Sequence, residues 1–332
     1  MKISLIICTY MRPLALKTLL DSVISQTRVP DEIIIVDGSL NSDTQECLRE
    51  KEYALNIKNY LVSEEHRGLT RQRNFGVSNV SSEIDLISFL DDDIVLDPLY
   101  FERITTTFQV KADAIGVGGI DLKENTYFEF EEGNCYSKFS FYQLDGWVIK
   151  EPLRYKARKI FGLMTDLQPG IIPGYSHGRS SFPPNGVIYG VEHFMGGIAT
   201  YRKNLFDHVS FSVYFEGYGL YEDFDFCVRS LPFGKLYVNT NAHVWHFHEP
   251  SGRPNTYKYG KMVIRNGWYV WKQRFPKNSI DAKLKWHATA FLLALIRLLN
   301  SVTGPSRLDA LKEFVGRLAG WFSLWFNKPK IQ

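Results

Sequence analysis

The stretch Ile87-Ser88-Phe89-Leu90-Asp91-Asp92-Asp93 decides the fold, because a short apolar run ends abruptly in three adjacent carboxylates. The run Leu86–Leu90 is partly β-branched or aromatic, which predicts a buried strand. In open α/β sheets, ligands bind at the carboxyl ends of the strands. The sequence therefore predicts that the three aspartates lie at a ligand-binding edge.

These adjacent aspartates repel one another, and a bound cation would neutralise them. Hard divalent ions such as Mg²⁺ or Mn²⁺ prefer oxygen ligands of this kind. The alternative is a solvated acidic loop, since charged side chains are mostly exposed. The sequence around the cluster favours the cation site.

Two further strands and a helix precede the cluster. Ile3–Cys8 and Glu32–Asp37 are nearly continuous apolar runs, and between them Leu14–Gln26 has leucines at helical spacing. A strand, a helix and a second strand within residues 3–37 form a βαβ unit, which implies a parallel sheet. The predicted fold class is therefore α/β, with helices on both faces of a mostly parallel central sheet.

The composition excludes several classes of protein. The chain has 332 residues, of which 45% are hydrophobic and 23% are charged, as in ordinary globular proteins. A net charge of +3 gives no indication of nucleic-acid binding. The four cysteines have no paired metal spacing and favour a reduced cytoplasm, and the apolar start Ile3–Cys8 is too short for a signal peptide.

A basic segment follows these strands. Gly68–Ser78 carries Arg71, Arg73 and Asn74 among residues compatible with a helix. The segment is either an exposed basic helix or, beside an acidic metal site that binds a diphosphate, a source of guanidinium groups. Guanidinium groups bind phosphate oxygens in bidentate fashion, which gives the second interpretation its chemistry.

Three later motifs complete the candidate site. Gly196-Gly197 forms a turn that permits close backbone approach to a ligand. The acidic start of a helix at Glu222-Asp223 either caps that helix or faces the cleft. In Val244–His248 the residues alternate, so His246 and His248 share one face and could meet one cation, although a lone histidine is usually a packed core residue.

Residues 121–190 have no sustained period and are rich in aromatics, Gly and Pro. Because long structureless loops are uncommon in compact domains, we interpret this segment as an irregular insertion that forms part of an acceptor pocket. Its aromatic side chains could stack on sugar rings or form a small satellite core.

The tail differs from the rest of the chain in charge. Residues 281–332 have eight Lys and Arg against three Asp and Glu, a net charge of +5, whereas the remainder has −2. The apolar run Ala288–Ile296 is too short to span a bilayer, which needs about 20 apolar residues. After the capping box at Ser306, apolar residues recur at steps of three and four: Leu308, Leu311, Val315, Leu318, Phe322 and Trp325.

This pattern predicts a basic amphipathic helical hairpin. With Trp286, Trp321 and Trp325 it fits an interfacial anchor, which implies peripheral contact with the inner face of the cell membrane through residues 281–327. The alternative is a hairpin that packs on the catalytic domain or on another copy of the chain, so a homo-oligomer is a further expectation.

Five motifs in this order resemble those of the family 2 glycosyltransferases, which have the GT-A fold. The likeness covers roughly residues 3–250, although Cys8 and Met11 stand where the family usually has Pro and Asn. The matching segments are Ser4–Arg12, Ile34–Ser39, Arg73-Asn74, Phe89–Asp93, and Tyr221-Glu222-Asp223 with Asp225 and Arg229.

The resemblance implies roles for individual residues. Asp93 and Asp91 would hold the cation, approached by His246 and secondarily by His248. Asp223 would be the general base and Glu222 would orient the acceptor, with Gly196 and Gly197 on the acceptor side. The donor would be bound by Thr9, Tyr10, Arg12, Asp37, Arg73, Asp91 and Asp92.

The predicted function is metal-dependent, inverting transfer of a sugar from a nucleotide-diphosphate sugar to an acceptor hydroxyl, in cell-surface polysaccharide or glycolipid synthesis. The acceptor would be a saccharide or a lipid-linked saccharide. The predicted domains are a GT-A catalytic domain at 1–275 and an amphipathic helical region at 280–332. The catalytic domain divides into a nucleotide-binding half at 1–120, the insertion at 121–190 and an acceptor half at 191–275.

Two alternative functions belong to other classes of protein. A sugar nucleotidylyltransferase would need a glycine-rich phosphate loop near the N-terminus, and Cys8–Arg12 contains no glycine. A non-catalytic module that binds nucleotide sugars is less consistent with intact carboxylates at Asp91, Asp93 and Asp223.

Overall fold

The computed structural model describes residues 1–50, 55–215, 217–248 and 254–331. The chain forms two compact units. The first comprises Met1–Asn125 and Pro184–Gly252, and the second comprises Thr126–Pro183 and Arg253–Gln332. All the residues of the predicted donor, cation and base sites belong to the first unit.

The helices and strands follow one another along the chain in two series. The first series is β1 (Ile3–Thr9), α1 (Pro13–Ile24), β2 (Glu32–Asp37), α2 (Asp43–Glu50), β3 (Ile57–Leu61), α3 (Leu69–Ser78), β4 (Leu86–Asp91), β5 (Ile94–Leu96), α4 (Tyr100–Val110) and β6 (Ala114–Asp121). The second series is β7 (Phe128–Glu129), β8 (Phe141–Leu144), β9 (Trp147–Lys150), α5 (Leu153–Ile160), β10 (Ile188–Val191), β11 (Ile198–Arg202), α6 (Glu222–Ser230), β12 (Lys235–His246), α7 (Thr256–Arg274), α8 (Ile280–Thr303) and α9 (Arg307–Phe326).

A mixed sheet in the order β10-β12-β6-β11-β4-β1-β2-β3 forms the centre of the first unit, with β5 paired to β12. Strand β1 is parallel to β2 and β4, and β6 is parallel to β12, which confirms the predicted α/β class. Strand β11 is antiparallel to both β4 and β6 and separates the two parallel groups. Its pairing partners are distant in sequence, so the local pattern did not reveal this inversion.

The core of the first unit lies on both faces of these strands. Every residue of β2 is buried, and β1 is buried except at Cys8. Helix α1 begins at Pro13, which is favourable at a first helical position, and buries the leucines at its helical spacing together with Val23. Burial of this apolar face, rather than intrinsic helix propensity, holds the helix on the sheet.

In the second unit, the segment predicted to be irregular contains regular elements. Strands β7, β9 and β8 form an antiparallel sheet, and α5 follows it. Each strand has at most four residues, which is too short for a detectable period. Aromatic side chains of this segment contact one another in a small cluster, namely Phe128, Phe130, Tyr136 and Phe141.

The C-terminal helical region contains α7, α8 and α9, so the predicted hairpin has a third helix packed against it. Close packing of α7 and α9 depends on glycines, because a Cβ at Gly316 would lie 2.1 Å from the Tyr257 carbonyl oxygen and one at Gly260 would lie 2.2 Å from the Glu313 carbonyl oxygen. Between α8 and α9, Arg297 forms a 2.6 Å ion pair with the buried Glu313. Gly316 and Gly320 have the spacing that brings helices close together.

The predicted apolar stripe of α9 faces outward. Its buried side is made by Ala310, Glu313, Gly316, Gly320 and Leu324, whereas Leu308, Leu311, Val315, Phe322 and Trp325 are exposed. Helix α8 is long and apolar enough to cross a membrane by length and composition. The run predicted to be too short to span a bilayer, Ala288–Ile296, is only the central part of this 24-residue helix.

Candidate active site

The carboxyl ends of the parallel strands bring the predicted site residues to one edge of the sheet. Thr9, the last residue of β1, lies in register with Asp37, the last residue of β2. Cys8 lies in register with Asp91 at the end of β4. Strands β6 and β12 end nearby in Asp121 and His246. This edge is where a doubly wound sheet binds its ligand.

The three consecutive aspartates have different partners. Asp92 accepts a 2.7 Å hydrogen bond from the Thr9 hydroxyl and a 3.1 Å hydrogen bond from Arg12. Burial raises the pKa of Asp92 to about 6, although both partners oppose the rise. Asp92 therefore fixes the loop after β1, and Asp91 and Asp93 remain as the candidate cation ligands.

Asp91, Asp93 and His246 form one such candidate site. Their ligand atoms all lie within 4.8 Å of one another. His246 Nε2 lies 2.9 Å from Asp93 Oδ1, and both side chains are buried. Two carboxylates and one imidazole suit a divalent cation such as Mn²⁺, so the donor set fits the predicted metal.

His248 belongs to a different set of side chains. It lies beyond the end of β12 with a φ of 53°, and its ring lies 3.9 Å from the His246 ring, centroid to centroid. Its ligand atoms group with those of Asp121 and His246. Asp121 was not among the predicted site residues, although it ends an apolar strand just as Asp91 does, and that signal could have found it.

The predicted nucleoside-binding residues form two linked loops. Asp37 accepts a 2.8 Å hydrogen bond from the Ser39 N–H, and the Ser39 hydroxyl oxygen accepts one of 2.7 Å from the Met11 N–H. Tyr10 in the first loop is exposed. Gln72, which is not among the predicted site residues, donates hydrogen bonds to the carbonyl oxygens of Thr9 and Val36. No local pattern distinguishes this glutamine from a surface residue.

Arg73 lies beneath the site rather than at its surface. Its guanidinium lies 2.5 Å from Glu222 and 3.6 Å from Asp91. The rings of Phe89 and Phe211 contact it at 5.5 and 5.2 Å from their centroids. With only 3% of its surface exposed, Arg73 is placed to hold two carboxylates in position.

Helix α6 brings Glu222 and Asp223 to the site in its first turn. Tyr221 precedes them with a φ of 70°, a backbone strain of the kind found at functional sites. Asp223 accepts hydrogen bonds from the Gly196 N–H at 3.2 Å and from the Phe224 N–H at 2.8 Å. Burial raises the pKa of Asp223, and it raises that of Glu222 to about 8 although Arg73 opposes this.

The two glycines of the turn before β11 allow this arrangement. A Cβ at Gly197 would lie 2.2 Å from Asp91 Oδ2, and one at Gly196 would lie 2.7 Å from Glu222 Oε1. The Asp91 N–H also donates to the Gly197 carbonyl oxygen at 3.1 Å. These glycines let the turn pack directly on the carboxylates, and no side chain would fit at either position.

The mixed α/β sheet, with carboxylates along the carboxyl ends of its strands, has the GT-A fold. Residues 4–209 match the model of glycosyl transferase family 2, and the chain therefore belongs to that family. The mannosyltransferase PcManGT from Pyrobaculum calidifontis, solved in complex with GDP-Man and Mn²⁺, has the same fold, with a TM-score of 0.54 at 14% identity over 99% of this chain and 81% of that chain. The predicted fold and glycosyltransferase class are confirmed.

Curated relatives match a shorter region. Glucosyl-dolichyl phosphate glucuronosyltransferase from Haloferax volcanii is 28% identical over 36% of this chain and 38% of its own length. Glycosyltransferase GlyA from Streptococcus pneumoniae is 29% identical over 40% of this chain and 17% of its own length. The chain thus covers well under half the length of these relatives.

Proposed function

We propose that this chain transfers a sugar from a nucleotide-diphosphate sugar to an acceptor hydroxyl with inversion at the sugar carbon. The observation that carries the proposal is the meeting of three groups at one sheet edge. These are the Asp91–Asp93–His246 cation set, the Arg73–Glu222 ion pair and the half-buried Asp223. A relative that acts on glucosyl-dolichyl phosphate and a structural neighbour bound to GDP-Man and Mn²⁺ are consistent with this chemistry.

For the donor, we assign the nucleoside to the loops that contain Thr9, Tyr10 and Asp37. The Thr9–Asp92–Arg12 hydrogen bonds hold the first of these loops before a ligand arrives. Such preorganisation reduces the entropy that binding would otherwise cost. Asp91, which is partly exposed, is available to the ribose or to the cation.

For the cation, we assign Asp91, Asp93 and His246, and we infer Mg²⁺ or Mn²⁺. A cation bound there would neutralise the leaving diphosphate as a Lewis acid. The side chains of this set are held in place by the protein itself. The carboxylate of Asp91 lies 3.6 Å from the Arg73 guanidinium, and the carboxylate of Asp93 accepts a hydrogen bond from His246 Nε2.

For the acceptor, we assign Asp223 as the general base. Its carboxylate accepts two backbone hydrogen bonds, and each carboxylate oxygen retains a further lone pair for an acceptor hydroxyl. Removal of the hydroxyl proton as the oxygen attacks would give inversion in a single displacement. Glu222 Oε2 is buried without a hydrogen-bond partner among the described residues, so it could orient a second hydroxyl.

We further propose that α8 and α9 lie on the inner face of the cell membrane, where a lipid-linked saccharide would be the acceptor. The exposed apolar stripe of α9, including Phe322 and Trp325, supports this. So do the apolar length of α8 and the net charge of +5 in residues 281–332. Apolar burial and attraction to anionic lipids together favour interfacial helices.

The deciding experiment supplies the full chain with Mn²⁺, a panel of nucleotide sugars and simple glycoside acceptors. We expect release of a nucleoside diphosphate and a product whose anomeric configuration, read by NMR, is opposite to that of the donor. A parallel reaction with nucleoside triphosphates and sugar 1-phosphates tests the alternative, because release of pyrophosphate there would indicate a nucleotidylyltransferase. Donor binding in calorimetry with no turnover across the panel would indicate a non-catalytic module.

A further inference from the structure

A second group of metal-ligand side chains lies beside the first, at the carboxyl ends of β6 and β12. The ligand atoms of Asp121, His246 and His248 all lie within 4.8 Å of one another. Glu124 adds a carboxylate at the rim, since its Oε1 lies 3.2 Å from His248 Nε2. His246 belongs to both groups, so one imidazole lies between two potential cation positions.

The hydrogen bonding of His246 shows which of its ring nitrogens is already engaged. Nε2 lies 2.9 Å from Asp93 Oδ1. An ionised carboxylate can only accept, so Nε2 carries the hydrogen, and in a neutral ring Nδ1 then holds the lone pair. Nδ1 is buried and has no hydrogen-bond partner within the described part of the chain. In the neutral ring, Nδ1 is therefore the nitrogen that remains available to a cation, on a side chain that is only 10% exposed.

The other two ligands are held in place by the backbone. Asp121 Oδ1 accepts hydrogen bonds from the N–H groups of His246 at 3.1 Å and Lys123 at 2.9 Å, which fixes the carboxylate. The left-handed backbone at His248, with a φ of 53°, returns its ring to within 3.9 Å of the His246 ring. The three side chains are therefore close together before any ion binds.

We propose that Asp121, His246 and His248 form a second cation site, separate from the Asp91–Asp93 position and suited to a borderline metal such as Zn²⁺. Two imidazoles and one carboxylate are a common Zn²⁺ ligand set, and Glu124 can supply a fourth ligand. Mg²⁺ prefers oxygen ligands and does not match a site with two nitrogens.

Because both sites use His246, only one of them can have this ligand at a time. An ion bound to Nδ1 leaves the hydrogen on Nε2, which then donates to Asp93 and cannot coordinate an ion between Asp91 and Asp93. Zn²⁺ at the second site therefore weakens Mn²⁺ binding at the first. The second site does not depend on the proposed sugar transfer, whereas its effect on the donor-site cation rests on that proposal.

Calorimetric titration of the full chain with ZnCl₂ tests the site directly, and no activity measurement is needed. We expect His248→Ala and Asp121→Asn each to weaken Zn²⁺ binding by about tenfold or more. Asp93→Asn keeps an acceptor for Nε2 and should leave Zn²⁺ binding intact. His66→Ala removes an exposed imidazole outside both groups and is the matched control.

Zn²⁺ binding that survives His248→Ala and Asp121→Asn but is lost in Asp93→Asn would overturn the proposal, because a single site at Asp91 and Asp93 would explain it. A wild-type chain that does not bind Zn²⁺ would overturn it as well. Titration with Mn²⁺ in the presence of Zn²⁺ tests the shared ligand: competition is expected in the wild type and should disappear in His248→Ala. Unchanged Mn²⁺ affinity in the wild type would contradict the exclusion. Failure of sugar transfer alone would leave all these readouts unaffected.

Discussion

The guanidinium of Arg73 binds the carboxylate of Glu222 at 2.5 Å, and both side chains are buried under the candidate active site. The chain positions that form this ion pair are 149 residues apart. Asp91 lies 3.6 Å from the same guanidinium, so the positive charge of Arg73 lies close to two carboxylates. The arrangement joins the acidic end of β4 to the first turn of α6.

We expect Arg73→Met to destabilise the protein by about 3–5 kcal/mol, because it leaves the buried carboxylate of Glu222 without its positively charged partner. Urea unfolding measures this cost. Lys235→Met is the matched control, since Lys235 forms a 2.9 Å ion pair with Asp113 at the surface, and exposed ion pairs contribute little to stability. Equal losses in the two variants would show that Arg73 does not hold the site together.

Asp223→Asn should reduce the rate of transfer by about 10²–10⁴-fold, because the amide cannot take the acceptor proton. Donor affinity, measured by calorimetry, should not change. Asp207→Asn makes the same chemical change at an exposed position outside the site and should transfer sugar at the wild-type rate. Wild-type turnover in Asp223→Asn would remove this residue from the role of base.

The pH profile gives an independent check on Asp223. Burial raises the pKa of its carboxyl, so it takes up a proton at a higher pH than the ordinary value of about 4. The transfer rate should therefore fall as the pH is lowered, with a midpoint above that value. The residual activity of Asp223→Asn should not show this fall in rate at low pH.

The fold was predictable wherever the decisive information was local. Strands β1, β2 and β4 are apolar runs that end in polar residues, and α1 has apolar residues at helical spacing. These local patterns predict the parallel core. The antiparallel position of β11 between β4 and β6 was not predictable, because these partner strands lie about 80 to 110 residues earlier in the chain. The three short strands before α5 carry too few residues for a period to be read.

The candidate site shows the same division. The aspartates at 91–93 are recognisable from the sequence because three adjacent like charges repel one another. Which of them remain candidate cation ligands depends on Thr9 and Arg12, which are distant in sequence and bond to Asp92. Gln72 satisfies two loop carbonyls and carries no signal in its own neighbourhood. That Arg73 is buried between Phe89 and Phe211 likewise depends on tertiary packing.

We expect Gly197→Ala to weaken Mn²⁺ binding by about tenfold, as changes to the surroundings of a metal ligand commonly do. The added Cβ would lie 2.2 Å from Asp91 Oδ2 and would force this ligand to move. Calorimetric titration measures the affinity. At Gly190 the nearest atom to an added Cβ is 3.9 Å away, so Gly190→Ala is the control. Equal Mn²⁺ affinities in both variants would place the ion elsewhere.

Gly316→Ala should destabilise the C-terminal helical region by about 1–3 kcal/mol, the usual cost of overpacking. A Cβ there would lie 2.1 Å from the Tyr257 carbonyl oxygen, so α7 and α9 must move apart. Thermal unfolding of the full chain measures the loss. Gly174→Ala, in the same unit, places its Cβ where no atom lies within 4 Å among the described residues and should change little. A Gly316→Ala chain as stable as this control would contradict the close packing of α7 and α9.

Trp325→Ser should weaken binding to anionic phospholipid vesicles by about tenfold, because burial of one large apolar side chain contributes roughly 1.5–3 kcal/mol. Trp325 is 67% exposed on α9, and co-sedimentation with vesicles of mixed neutral and anionic lipid measures the change. Leu14→Ser removes an apolar side chain that is 75% exposed on α1, and this variant should bind vesicles as the wild type does. High salt should weaken wild-type binding as well, since it screens the basic residues. The contrary outcome is a wild-type chain that does not bind vesicles but self-associates in sedimentation velocity. If Trp325→Ser abolishes that association, the apolar stripe of α9 is instead an interface between copies of the chain.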